Sequence, residues 1–405
     1  MIFHMSKLPP TGRRIYIDNA AATPLGSEVK EAMLPYLEDN FGNPSAIHAE
    51  GVLARSAIES ARLKVARALG IKTSGVIFTG SGTESNNLAI LGYLKALHEA
   101  GRAYKEMEVI TTKIEHPSIL ALLPILEQKG VKIKFAPVDE FGRIELSTFL
   151  KLLSPQTVLI CFAYANSEVG VIQPVSRLVR LVRKFEKEQG TEIIVHLDAA
   201  QAPLWLPCAL EQLGVDMLSL DAGKCHGPKG VGILAVRKNL TLKPIMFGGG
   251  QEGGQRPGTE NVLAIIGAAE AIELATKGCI DRSDCVREIR DKAVTLLALK
   301  LPEAIINGPQ GEDRLANNIN LSLPGFDTEY AVIFLDSHGI ACSTKSACAG
   351  AGSGISNVVK EMTSDYARAK STIRLSLGDD TTTAEMIYVV SILVEYRNKM
   401  KPLTP

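Results

Sequence analysis

The chain has 405 residues, of which 46% are apolar and 22% charged, the proportions of a packed soluble enzyme. Its 44 basic and 44 acidic residues cancel, which excludes a surface tuned by charge for nucleic acid or an anionic membrane. A single core usually stops growing below this length, so two domains are expected. No run of eighteen apolar residues occurs, so no spanning helix is expected. The N-terminal MIFHMSKLPPTGRR lacks the apolar stretch and cleavage site of a secretion signal. The seven cysteines (Cys161, Cys208, Cys225, Cys279, Cys285, Cys342, Cys348) are odd in number, scattered and without a CxxC pair. They read as free thiols of a reducing cytoplasm, not as a disulfide framework or a zinc site.

In chain order, VLARSAIESARLKVARALG reads as a helix in which Leu53, Ala57, Ala61, Val65 and Leu69 recur every four residues, ended by Gly70. SGVIFTG then reads as a buried strand. Further strands are expected at 108–112, 131–138, 157–165, 192–200, 216–221 and 231–237, with a helix at 175–190. These strands are nearly continuous apolar runs, so both faces must be buried. That predicts an α/β fold with a mainly parallel sheet covered by helices. The glycine-rich GGGQEGGQRPGTEN links this part to long helices and a few strands such as NNINLSLP. A large domain over 15–264 and a smaller α+β domain over 265–405 are expected, with residues 1–14 packing on the latter.

A sheet of this kind binds ligands beyond the carboxyl ends of its strands. FTGSGTESNN follows one strand and opens a helix, which is either a phosphate cradle or an ordinary N-cap at Ser81 or Thr83. His116 in KIEHP follows the next, as a site residue or a satisfied loop histidine. Asn166 and Glu168 follow TVLICFA, and Asp198 follows IIVHL with Gln201 three residues on. DAGKCHGPKG, with Lys224 and Lys229, follows DMLSL. Neither segment is a dinucleotide fingerprint or a P-loop: Ser85 replaces the third glycine of the first, and Leu218 and Cys225 break the second. Together the five strand ends offer a phosphate cradle, a histidine, an asparagine, an aspartate, a glutamine and a lysine. Pyridoxal 5'-phosphate needs this set: a helix start for its phosphate, a carboxylate for its ring nitrogen, a lysine for its aldehyde carbon and a flat lid for its ring.

From IYIDNAAATP through FGNPSAIHAEG, FTGSGTESNNLAI, TKIEHPSIL, ANSEVGVIQP, HLDAAQ, GPKGVGIL, GGGQEGGQRPGTEN and STKSAC to TIRLSLGDDTT, the chain resembles the cysteine desulfurases of the NifS/IscS type. These are class-V aminotransferase relatives of PLP fold type I. The resemblance implies that Lys224 carries the cofactor and that Lys229 is structural. It implies Asp198 on the ring nitrogen, Gln201 on the ring hydroxyl and His116 against the ring, with Gly82 and Thr83 on the phosphate. Thr259 would reach the phosphate of a partner subunit in a homodimer. Asn166 and Arg374 would hold the substrate, with the guanidinium forking onto its carboxylate.

The family pattern before the lysine is Ser-x-His-Lys, and Asp221 and Gly223 depart from it here. Asp221 joins the cofactor-binding set, but as a carboxylate near a phosphate it is repulsive unless it turns away or meets a cation. In ACSTKSACAGAGSGIS, a loop of small residues at 341–356, Cys348 matches the family nucleophile, 26 residues before Arg374. Cys342 reads as a small buried hydrophobe, and Lys345 as a charge that would favour the Cys348 thiolate.

The expected activity is removal of sulfur from L-cysteine, giving L-alanine and a Cys348 persulfide for an acceptor such as an iron–sulfur scaffold or a thiolation protein. The alternatives are a selenocysteine lyase, a desulfinase or an aminotransferase of the same fold, and a catalytically impaired scaffold homologue.

Overall fold

The computed structural model describes residues 9, 12–237, 240–344 and 354–400. Helix α1 (Ala49–Leu69) ends at Gly70, whose φ of 66° places it in the left-handed region that closes helices. Its buried face is Gly51, Ala54, Ile58, Ala61, Val65 and Leu69. The four-residue stripe therefore holds from Ala61 onward but misses at its start, where Leu53 is 58% exposed. Strict fours drift off a 3.6-residue helix, so a stripe right at one end slides off the face at the other.

All seven expected strands form, in a single sheet. They are β1 (Val76–Thr79), β2 (Glu108–Thr111), β3 (Lys132–Phe135), β4 (Thr157–Ala163), β5 (Ile194–Asp198), β6 (Met217–Asp221) and β7 (Gly232–Val236). Their spatial order is β1-β7-β6-β5-β4-β2-β3. Pairing is parallel from β6 through β5, β4 and β2 to β3, and only β7 runs against its neighbours. Alternate residues feed two cores. Phe78, Ile160, Val195, Leu218 and Ile233 join the core that includes α1 and the helices α3 (Val175–Gln189) and α4 (Val262–Thr276). Ile77, Leu159, Ile194, Met217 and Leu234 join the core that includes α2 (Gly82–Glu99). Burial on both faces is why the central strands read as apolar runs; the edge strand β3, KIKF, departs from the expected two-sided burial, with Lys132 and Phe135 exposed because, among the described residues, no strand covers its outer side.

Beyond α4, which packs on α1 across residue 264, come α5 (Cys279–Lys300) and a three-stranded antiparallel sheet: β8 (Ile305–Ile306), β9 (Asn318–Ser322) and β10 (Thr372–Ser376). Helix α6 (Thr383–Lys399) packs on α5. Residues 13–16 are sewn to this part. Ile15–Tyr16 pairs in parallel with Ile340–Ala341, and Arg13 reaches Asp380 at 3.1 Å and Glu385 at 3.0 Å. Among the described residues, no helix is long and apolar enough to cross a membrane.

Candidate active site

The carboxyl ends of β2, β4, β5 and β6 and the start of α2 surround one cavity of about 150 Å³, room for on the order of ten waters. Gly82, Thr83, His116, Asn166, Asp198, Gln201, Asp221, Lys224 and Arg374 all line it. Residues up to 292 positions apart thus meet at one sheet edge (374 minus 82).

Asp198 is the last residue of β5 and is 9% exposed. Its Oδ1 accepts from the N–H of Ala200 at 3.0 Å and its Oδ2 from Asn86 Nδ2 at 2.8 Å. The same Asn86 nitrogen reaches Ser118 Oγ at 2.8 Å, and Ser118 Oγ lies 2.8 Å from Nδ1 of His116. One amide therefore ties the aspartate to the histidine segment. His116 caps the short helix Pro117–Leu120, with Nδ1 accepting from Ser118 N at 3.1 Å. The loop-histidine reading is thus satisfied while the ring still faces the cavity.

Glu115, also in the cavity wall, is 5% exposed and bound by the Thr112 hydroxyl at 2.5 Å and by Ala163 N at 2.7 Å. Burial, with help from the negative charge of Asp198, pushes its carboxyl up to about 8. At neutral pH it is held as the neutral acid. Two strand positions before Asp198, burial pushes His196 down to about 4, so it is a neutral partner of Ser219 Oγ at 2.8 Å.

Lys224 lies in a short 3-10 turn, Ala222–Lys224, straight after β6. Its Nζ donates to the carbonyl of Ala20 at 2.8 Å and to that of Ala21. Gln201 Nε2 donates to the same Ala20 carbonyl at 2.9 Å. Lys229 points elsewhere, with Nζ on the Thr23 carbonyl at 3.3 Å.

Arg374, on β10, is 1% exposed. Its guanidinium donates to Asp18 Oδ1 at 2.9 Å and the Ser167 carbonyl at 3.2 Å, while its buried Nε has no partner. A buried donor without an acceptor is costly unless a ligand supplies one. Asn166 holds a turn: Oδ1 accepts from Glu168 N and Val169 N, and Nδ2 donates to the Ile114 carbonyl at 2.9 Å. That leaves one amide hydrogen for a ligand.

At the other end of the cavity, Ser81 is the N-cap of α2 and accepts from Glu84 N at 3.1 Å. The cap and the cradle readings coexist, since Gly82 and Thr83 also line the cavity. Thr259 is exposed on a loop and does not line this cavity. Cys348 and Lys345 lie outside the described residues, while Cys342 is buried.

The donor set fits pyridoxal phosphate at its ring end: a buried carboxylate, an amide, a histidine and a lysine converge there, and Asn86 Oδ1 is buried without a partner. At the phosphate end the fit is partial, because Asp221 stands beside Gly82.

The profile of the aminotransferase class-V family matches residues 15–389. The chain belongs to that family. A relative from Dictyoglomus turgidum named cysteine desulfurase IscS is 39% identical over 393 residues, 97% of each chain. A solved NifS-like protein superposes with a TM-score of 0.87 at 36% identity, covering 96% of this chain and all of its own. Another, described as SspA in complex with cysteine, has a TM-score of 0.74 at 31% identity, covering 91% of this chain and all of its own. The family member described here is accordingly a PLP-dependent enzyme of fold type I, and the mainly parallel sheet agrees.

Three groups in the wall escaped sequence reasoning: Asn86, Glu115 and the carbonyls of Ala20 and Ala21. Each lies inside a family motif, but only the folded chain shows which of their atoms face the cavity.

Proposed function

We propose that this chain takes sulfur from L-cysteine, releasing L-alanine and leaving a persulfide on Cys348. The observation that carries the reading is the convergence of Lys224, Asp198, Gln201, His116 and Arg374 on one cavity, together with full-length relatives named cysteine desulfurase. Bound pyridoxal phosphate supplies an electron sink for the charge that develops at the substrate Cα. Asp198 would hold the proton on the ring nitrogen, Gln201 would hydrogen-bond the ring hydroxyl and His116 would cover the ring. Lys224 would anchor the cofactor, and its amine would move the proton at the substrate Cα.

Arg374 offers its unpartnered Nε to the substrate carboxylate, with Asn166 giving its remaining amide hydrogen. The Cys348 thiolate attacks the substrate Sγ. The C–S bond breaks, an S–S bond forms on Cys348, and the carbon takes a proton to become alanine. Cys348 stays in this reading on its place in the STKSAC motif alone.

A second copy of the chain is part of the proposal. Phe41 is 79% exposed, Ile47 93% and Phe247 81%, large apolar side chains that a second copy would cover. Thr259, exposed on its loop, would serve the phosphate site of that copy. The persulfide passes to a sulfur-acceptor protein such as an iron–sulfur scaffold. The six described cysteines are free thiols, which suits a reducing cytoplasm.

The test is incubation of the cofactor-loaded protein with cysteine, measuring alanine and sulfide. Wild type should form both, and Cys348→Ser should form neither. Alanine formation that survives in Cys348→Ser would favour a desulfinase of the same fold, a 2-oxo acid in place of alanine would favour an aminotransferase, and no alanine from wild type would refute the proposal.

A further inference from the structure

Asp221 ends β6, and its carboxylate is wedged at the start of α2. Oδ1 accepts from the N–H of Gly223 at 3.0 Å, and Oδ2 lies 3.4 Å from the N–H of Gly82, the first residue of the helix. The backbones around it approach closely. A Cβ on Gly82 would come within 3.2 Å of Asp221 Cβ. Gly232, opposite Asp221 in the β6–β7 ladder, passes so close to the Ser81 carbonyl group that a Cβ would lie 2.3 Å from its carbon. At position 223 a Cβ would meet Asp221 Oδ1 and Lys229 Cγ, each at 3.3 Å. Of the neighbouring cations, Lys224 donates to the carbonyls of Ala20 and Ala21, Lys229 to that of Thr23, and Arg256 pairs with Glu84 at 2.9 Å.

A helix start attracts an anion through its unpaired N–H groups and its dipole. Here a tethered anion already takes one of those groups. We propose that Asp221 limits cofactor affinity: it competes for the N–H groups at the start of α2 and repels the arriving phosphate, so the ring end supplies most of the hold. The inference rests on the pyridoxal-phosphate reading above and concerns only the phosphate's share of binding.

The test compares pyridoxal 5'-phosphate with unphosphorylated pyridoxal, titrated into the full chain after the cofactor has been stripped. The readouts are visible absorbance and quenching of Trp205, the single tryptophan. The dissociation constant of pyridoxal divided by that of pyridoxal 5'-phosphate isolates the phosphate. Asp221→Asn keeps the shape and removes the charge, and Asp221→Ser is the second variant should the first misfold by circular dichroism. The ratio should rise about tenfold in the variant, equivalent to ~1.4 kcal/mol. Pyridoxal affinity itself should stay within about twofold. An unchanged or smaller ratio would overturn the role of Asp221 while leaving the cofactor reading intact. A folded wild type that takes up neither compound would overturn both.

Discussion

Asp198 and Asp221 end neighbouring strands of one sheet and line one cavity, yet their surroundings give them opposite work. Asp198 is nearly buried, held by the Ala200 N–H and by Asn86, and tied through Ser118 to His116. Every contact there holds the carboxylate in the cavity wall, where it would face the cationic ring nitrogen of the proposed cofactor. Asp221 is half-exposed and faces the start of a helix, where a phosphate would look for the same N–H groups. A carboxylate at a strand end therefore has no fixed meaning. What faces it decides whether it holds a ligand or opposes it.

The two aspartates can be separated by making the same change in each. Asp198→Asn should lower the rate of alanine formation by about 10²–10³ at saturating cofactor, the usual cost of one preorganised electrostatic contact. Asp221→Asn, by contrast, should strengthen cofactor binding. If both substitutions weakened cofactor binding alike, the contrast would be wrong.

A smaller effect sharpens the Asp198 side. Burial holds Glu115 protonated up to about pH 8 in the folded chain, against an ordinary value of 4.5. The native state therefore binds more protons than the unfolded state between those values, and this group's contribution to stability falls as pH rises from 4.5 to 8. Glutamine cannot titrate. The stability of wild type relative to Glu115→Gln should accordingly drop across that window, by at most ~1.4 kcal/mol per pH unit. Urea unfolding at several pH values checks this, and a flat difference would mean that Glu115 is ionised in the fold.

Much of this was legible in the sequence. The central strands could be read because two-sided burial leaves apolar runs, the edge strand β3 by its alternation alone, and the strand ends then pointed to Asp198, Gln201, Lys224 and His116. Leu53 misled because an apolar side chain facing solvent mimics a core position when only its spacing is read. Asn86 was hidden for the opposite reason: a polar residue within a helix looks like a solvated face until the fold buries it against Asp198. The departure at Asp221 was visible as a residue type, but its direction was not, since only the fold shows its carboxylate beside the N–H groups of Gly82 and Gly223.

The central claim is that Lys224, not its neighbour Lys229, carries the cofactor. Borohydride reduction of the loaded protein, followed by digestion and mass spectrometry, reports this directly. The account predicts a reduced phosphopyridoxyl group on the peptide containing Lys224, at Lys224. A label on Lys229, or on no lysine of this segment, would contradict it.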